Sequence, residues 1–190
     1  MAQEGRVLIE THETYPKQTN RNRTVILTAN GPSTLSVPVV RPNGTHTITA
    51  DIGISYAERW NVIHWRSIEA AYNSSPFFLY YRDGIEKLLM TKYEKLLELN
   101  EALMDYLIAK MKLDISIGYT EHFIQQEETG KDYRNLFSYK HHTPETKTEE
   151  YTQVFCDRQP FCGNVGILDL LFNLGPETKK YLLNLNCQLS

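Results

Sequence analysis

Apolar and polar residues alternate along much of the first 55 positions, and this period of two predicts β-strands. The predicted strands cover residues 6–12, 24–29, 34–40 and 46–55. Asn30-Gly31 and Asn43-Gly44 separate the last three, and an Asn-Gly pair between alternating runs is a strong hairpin signal. Pro38 marks an edge or an end of its strand, because proline cannot donate to the ladder. We therefore expect an N-terminal antiparallel meander of three or four strands.

The spacing of apolar residues becomes helical after residue 56. A first helix is predicted over about 56–73, and Pro76 ends it because the residue before a proline is pushed away from helical geometry. One or two further helices extend to about Leu113, followed by a short strand over 115–122. The polar stretch of about 127–150 predicts a long loop.

A nearly continuous apolar run, Ile167 to Phe172, predicts a short buried helix over about 165–174. Asn164 is its candidate N-cap, and Gly175-Pro176 ends it and begins a final helix over 176–185. Strands followed by helices are typical of an α+β fold. We expect one domain over residues 1–190, β-rich over 6–55, helical over 57–113 and 165–187.

Composition excludes several function classes. The chain has 190 residues, 41% hydrophobic residues and a net charge of −3, which argues against a broad nucleic-acid interface. It contains no apolar run long enough to span a membrane and begins without a signal-peptide pattern, so we expect a cytoplasmic protein. Three cysteines without CxxC spacing do not predict a disulfide framework.

The most polar candidate site is the basic segment, residues 17–23. Lys17, Arg21 and Arg23 supply three cations, and arginine forks match phosphate or carboxylate oxygens. Its amides, beginning with Gln18, add donors and acceptors. The alternative is a solvated loop whose arginines pair with carboxylates such as Glu10 or Glu13.

Two further positions carry candidate chemistry. His64 shares a helix face with Trp60 and Tyr72, where it can act as a general base or bond a backbone carbonyl in the core. Asp169 and Asn173 share a face of the buried helix, and burying them requires partners in the protein or in a ligand.

Metal and cofactor sites are not predicted. His141-His142 point in opposite directions in an extended loop and lack further ligands at characteristic spacing. Phosphate-loop, dinucleotide and serine-hydrolase motifs are absent from the sequence. Asp132 and Arg134 are two residues apart, which suits either one shared ligand or a surface ion pair.

Several blocks in order resemble the WbqC-like family. They are YPKQTNRNR from Tyr15, Trp60 with His64-Trp65, AYNSSPF from Ala71, Gln153-Val-Phe155, and ILDLLFN before Gly175-Pro176. The resemblance implies a group transferase, for glycine or another small group, in bacterial surface-polysaccharide biosynthesis. A non-catalytic binding or scaffolding protein of the same pathway is the alternative.

The resemblance also implies roles for residues. His64 and Asp169 would be catalytic. An anionic donor (a nucleotide sugar, a thioester carrier or an acyl-adenylate) and its acceptor would contact Lys17, Gln18, Arg21, Arg23, Tyr72, Gln153, Asn164 and Asn173. Two departures stand out: we expect a further N-terminal segment of the family to be missing here, and Gly166 replaces the family serine, which weighs against a nucleophile at that position.

Overall fold

The computed structural model describes residues 1–17, 19–125, 132–134 and 148–185. Its strands are β1 (Arg6–Ile9), β2 (Arg23–Thr28), β3 (Gly31–Ser36), β4 (Val39–Val40), β5 (Gly53–Ile54) and β6 (Ser116–Tyr119). Its α-helices are α1 (Trp60–Tyr72), α2 (Phe78–Met90), α3 (Leu96–Met111), α4 (Ile167–Leu174) and α5 (Thr178–Asn184). Single 3₁₀ turns cover Asn20–Asn22, Gly44–His46, Thr49–Asp51 and Gly175–Glu177. This content confirms the predicted α+β class.

The strands of the described ranges form three pairs rather than one continuous meander. β2 and β3 form the predicted hairpin, with Thr28 opposite Gly31, whose φ of +103° suits a glycine. β4 pairs antiparallel with β5. β1 instead runs parallel to β6. Residues 10–22, which follow β1, contain no glycine to form a tight turn, so the chain leaves β1 without a hairpin.

The strand predicted over 46–55 is wrong over most of its length. Two 3₁₀ turns occupy this region, and only Gly53–Ile54 is extended in a strand. The Thr47 hydroxyl donates to the Gly44 carbonyl at 3.0 Å and accepts from the Asn43 N–H at 2.9 Å. Such local side-chain bonds satisfy the backbone without a ladder, which is why the alternating pattern misled the prediction.

Helices α1 to α3 agree with the helical spacing, and α1 ends at Tyr72, ahead of the predicted break at Pro76. The helix was predicted to begin at about residue 56, whereas α1 begins at Trp60. None of the helices formed by the described residues is both long and apolar enough to cross a membrane.

Helix α4 enters the hydrophobic core through aromatic contacts. The Phe172 ring lies 5.2 Å from the Tyr72 ring and 5.1 Å from the Phe78 ring, measured between centroids. The core also contains residues from β2, α2 and α3, among them Ile26, Ile85 and Leu99. Residues far apart in the sequence therefore share one core.

Gly166, and not Asn164, immediately precedes α4, so the predicted N-cap is wrong. The Gly166 N–H donates to the Val25 carbonyl at 2.7 Å, which brings the start of α4 against β2. A Cβ at this position would lie 2.4 Å from the Thr24 hydroxyl oxygen. A serine here would need β2 to shift, and this gives a physical reason for the glycine.

Candidate anion-binding site

Within the basic segment, Asn20–Asn22 form a 3₁₀ turn. The Arg21 backbone in this turn is held from two sides. The Thr19 hydroxyl caps the turn by accepting from the Arg21 N–H at 3.2 Å. From α3, the Asn100 side-chain amide donates to the Arg21 carbonyl at 2.9 Å. Lys17 is exposed, and Gln18 lies outside the described residues. The backbone of Arg21 is therefore fixed before any ligand binds.

The Arg21 guanidinium pairs with the Glu13 carboxylate and also donates to the Thr19 hydroxyl at 2.9 Å. The two charged side chains are 26% and 16% exposed. Burial raises the pKa of Glu13, and the positive charge of Arg21 only partly opposes that rise. The structure thus shows an arginine of this segment paired with a carboxylate, Arg21 with Glu13.

Tyr15 lies beside this pair and is only 3% exposed. Its hydroxyl is buried and makes no hydrogen bond to any residue that the structure describes. The Arg41 guanidinium carbon is 5.1 Å from the centroid of the Tyr15 ring, and its nitrogens donate to the carbonyls of Tyr15 and Pro16 at 3.5 and 3.3 Å. A buried hydroxyl without a partner is rare in proteins and calls for an explanation.

Three arginines act electrostatically on this one phenol. Burial raises the pKa of Tyr15, while the positive charges of Arg21, Arg41 and Arg23 lower it. We call Arg21, Arg23 and Arg41 around Tyr15 the arginine cluster. Several guanidinium groups near one position suit an anion with several oxygens, such as a phosphate.

A second charged network lies at the carboxyl ends of the parallel strands β1 and β6. The Glu10 carboxylate accepts from the His12 N–H at 2.7 Å, the Thr120 hydroxyl at 3.0 Å and the Ile124 N–H at 2.9 Å. Burial by itself would raise the pKa of Glu10, but these hydrogen bonds and the charge of Arg134 together lower it. Glu10 is thus a well-satisfied carboxylate that ties β1 to the chain after β6.

Asp132 and Arg134 belong to the same network. The Arg134 Nε donates to Asp132 at 2.7 Å, and its Nη1 donates to the Ile124 carbonyl at 2.7 Å. The hydrogen bond from Arg134 is the main reason that the pKa of Asp132 is lowered. Because Arg134 also acts on Glu13, this network borders the arginine cluster.

Asp169 is fully buried at the start of α4, among neutral donors. Its Oδ2 accepts from the Tyr151 hydroxyl at 2.6 Å and from the Gln153 side-chain amide at 2.8 Å. Its Oδ1 makes no hydrogen bond within the described part of the chain. The Tyr72 hydroxyl accepts from the Leu27 N–H at 3.0 Å, which leaves its own proton available to Asp169. Burial first, and Asp169 next, raise the pKa values of both tyrosines.

Gln153 and Asn173 complete this group, which we call the Asp169 cluster (Tyr72, Tyr151, Gln153, Asp169 and Asn173). The Gln153 side chain accepts from the Cys162 N–H at 2.9 Å and donates to the Cys162 carbonyl at 3.0 Å. The Asn173 amide donates to the Asp169 carbonyl at 2.8 Å. Gln153 therefore pairs with the Cys162 backbone through two hydrogen bonds, as a neighbouring strand would, whereas Asn173 bonds within α4.

His64 lies apart from both groups. It is 8% exposed, and the Trp60 ring meets it edge-on at 5.1 Å between centroids. Burial lowers the pKa of His64. Tyr72, which borders Asp169, lies eight residues further along α1. Eight residues correspond to roughly 12 Å of helix.

The predicted site residues therefore separate into groups. Tyr72, Gln153, Asp169 and Asn173 converge, whereas Arg21 and Arg23 belong to the arginine cluster and His64 to neither. Asn164 precedes α4 by three residues. None of the contacts described above joins His64 to Asp169.

Sequence reasoning missed Arg41 and Tyr151. Tyr151 carried a usable signal, because it stands two residues before Gln153 and so shares its face in an extended chain. Arg41 carried none, since only the fold brings it to Tyr15.

Metal ligation is not indicated: residues 1–17, 19–125, 132–134 and 148–185 contain no group of three or more side chains suited to a metal. His141 and His142 lie outside these ranges.

The chain was compared with protein families, curated proteins and solved structures. A search of curated proteins and a search of solved structures each found none. Residues 1–140 of the 190 match the WbqC-like protein family. The match includes the arginine cluster and His64 and ends before Gln153 and Asp169. Because it covers well over half of the sequence, the chain belongs to the WbqC-like protein family.

Proposed function

We propose that this chain is a group transferase of bacterial surface-polysaccharide biosynthesis whose donor carries a phosphate group. The observation that carries the proposal is the buried Tyr15 hydroxyl, which bonds no described residue, under the Arg41 guanidinium and within the electrostatic influence of Arg21 and Arg23. Nucleotide sugars, coenzyme A thioesters and acyl-adenylates all carry phosphates. The phosphate oxygens would accept from the guanidinium groups and from the phenol.

The local backbone supports binding by a preorganised site. Thr19 and Asn100 fix Arg21, and Arg41 is held by backbone carbonyls. Side chains already held in place lose less entropy when a ligand binds, which favours affinity. His64 and Asp169 keep their catalytic roles as predictions only, since His64 is buried in the core and the hydrogen bonds of Asp169 go to protein groups.

The test is a thermal-shift panel of nucleotide sugars, coenzyme A thioesters and free amino acids, on the wild type and two variants. A ligand that binds only the folded state raises the melting temperature. We expect a phosphate-bearing compound to do so, Arg41→Ala to lose the shift, and Arg158→Ala to keep it. Arg158 is the matched control because it is 67% exposed and pairs with its neighbour Asp157.

Incubating each compound that binds with candidate acceptors, and analysing the products, separates this proposal from the alternative. A phosphate-bearing donor that binds and then loses its transferable group to an acceptor supports a transferase. A donor that binds and remains intact with every acceptor supports the non-catalytic binding protein. If none of the compounds shifts the melting temperature, the anion site is wrong.

A further inference from the structure

The Glu13 carboxylate occupies the guanidinium group that an anionic ligand would need. It pairs with Arg21 in the ligand-free chain. A carboxylate presents two oxygens to an arginine fork much as a phosphate does. A ligand therefore competes with a group of the protein itself, while the Tyr15 hydroxyl close by has no bond to lose.

We propose that the Glu13 carboxylate occupies the position on Arg21 that an anionic ligand takes when it binds. A diphosphate group displaces Glu13 from Arg21, accepts a hydrogen bond from the Tyr15 hydroxyl and contacts Arg41, and the released carboxylate takes up a proton. This inference rests on the proposed anion site and adds its ligand class and its dependence on pH.

The chemistry favours a diphosphate over a single negative charge. An anion with one charge would replace Glu13 on Arg21 and gain little. A diphosphate carries more than one charge, so it also gains from Arg23 and Arg41, which act on the same phenol. Its several oxygens can accept from guanidinium groups and from a hydroxyl together.

Displacement requires the side chain to move but not the backbone. The Glu13 carbonyl stays bonded to the Thr49 N–H at 2.9 Å and to the Thr49 hydroxyl at 3.3 Å. The charged groups that act on the Glu13 carboxylate are Arg21, Arg134 and Glu10. The side chain can therefore swing while the Glu13 backbone stays in place, and this frees the Arg21 guanidinium for the ligand.

The sign of the proton exchange follows from these neighbours. Burial already raises the pKa of Glu13, and Arg21 is the largest opposing influence. Once a diphosphate takes Arg21, that influence is lost and a new negative charge stands nearby. The pKa of Glu13 then rises further, so binding takes up a proton and strengthens as pH falls.

The experiment is calorimetric titration with inorganic pyrophosphate in two buffers of different ionisation enthalpy, at a mildly acidic and a mildly alkaline pH. Wild type is compared with Glu13→Gln, Tyr15→Phe and the control Glu58→Gln, an exposed residue with the same charge change. Since Glu13→Gln has no carboxylate to protonate, it reports the proton exchange of pyrophosphate itself.

We expect Glu13→Gln to bind pyrophosphate about tenfold more tightly than wild type, within the usual range of coupling between two binding events. Its affinity should depend less on pH, and the extra proton uptake should disappear. Glu58→Gln should match wild type, and Tyr15→Phe should weaken binding. Circular dichroism melting confirms that each variant is folded.

Two outcomes overturn the inference while leaving the anion site intact. One is Arg41-dependent pyrophosphate binding by the wild type with no proton uptake beyond that of pyrophosphate. The other is a folded Glu13→Gln that binds no more tightly than wild type. If neither the wild type nor Glu13→Gln binds pyrophosphate, the proposed anion site fails as well.

Discussion

The arginine cluster and the Asp169 cluster are both polar groups around one buried side chain, Tyr15 or Asp169, but they differ in what completes them. Asp169 is one carboxylate surrounded by neutral donors of the same chain, with Tyr151 and Gln153 directed at a single oxygen. The arginine cluster gathers three positive charges on a phenol whose hydroxyl has no described partner. The first group is organised mainly by the protein, whereas the second fits a ligand.

This difference distinguishes polar residues that contribute to the stability of the fold from polar residues that contribute to ligand binding. Removing the partner of a buried donor lowers the free energy of unfolding, whereas removing a donor that had no partner does not. The two clusters should therefore respond in opposite ways to similar substitutions.

Asp169→Ala should give the largest loss of stability. It leaves the Tyr151 hydroxyl and the Gln153 amide without their acceptor, and each buried donor left unpaired costs about 1–3 kcal/mol. We expect the free energy of unfolding, measured by urea denaturation, to fall by roughly 2–6 kcal/mol. Asp157→Ala is the control, because that carboxylate is 67% exposed. A loss no greater than the control's would show that the Asp169 cluster does not hold the fold.

A pair of tyrosine substitutions tests the comparison directly. Tyr151→Phe removes the donor 2.6 Å from Asp169 and should cost about 1–3 kcal/mol of unfolding free energy. Tyr15→Phe removes a hydroxyl without a described partner and should leave the ligand-free protein as stable or slightly more stable. Both are measured by urea denaturation under identical conditions. Equal losses in the two variants would mean that the Tyr15 hydroxyl has a partner and that the contrast is wrong.

Much of the fold was predictable because short-range signals determine it. The Asn30-Gly31 hairpin and the helix break before Pro76 depend on residues adjacent in the sequence, and both are confirmed. The pairing of β1 with β6 joins residues about a hundred positions apart. Period-two alternation predicts that a segment is a strand, but it does not identify the partner.

The candidate site shows the same limit. The basic segment was found from its own composition, and the polar pair Asp169 and Asn173 from helical spacing. The place of Arg41 beside Tyr15 depends on how the chain returns after β4, so no local pattern reveals it. His64 matched a recognisable block, yet only the fold shows that its ring is buried against the Trp60 ring.

The smallest predicted effect separates two carboxylates of one loop by their dependence on pH. The pKa of Glu10 is lowered in the folded chain, so its contribution to stability is present above the unfolded pKa, about 4.3, and is lost as pH falls through the lower folded value. The pKa of Glu13 is raised, so its contribution is present at low pH and is lost as pH rises through the folded value.

Glu10→Gln should therefore reduce the loss of stability on acidification, and Glu13→Gln should remove a loss that wild type shows as pH rises. We expect both differences to be small and opposite in sign, because each follows the direction in which a single carboxyl pKa is shifted. Urea denaturation between about pH 4 and 7 measures both, and the change with pH is compared because each substitution also shifts stability by a constant amount. The same sign of slope change in both variants would contradict the assignment. Opposite signs would show that the fold favours the charged form of Glu10 and disfavours the charged form of Glu13, as the two pKa directions require.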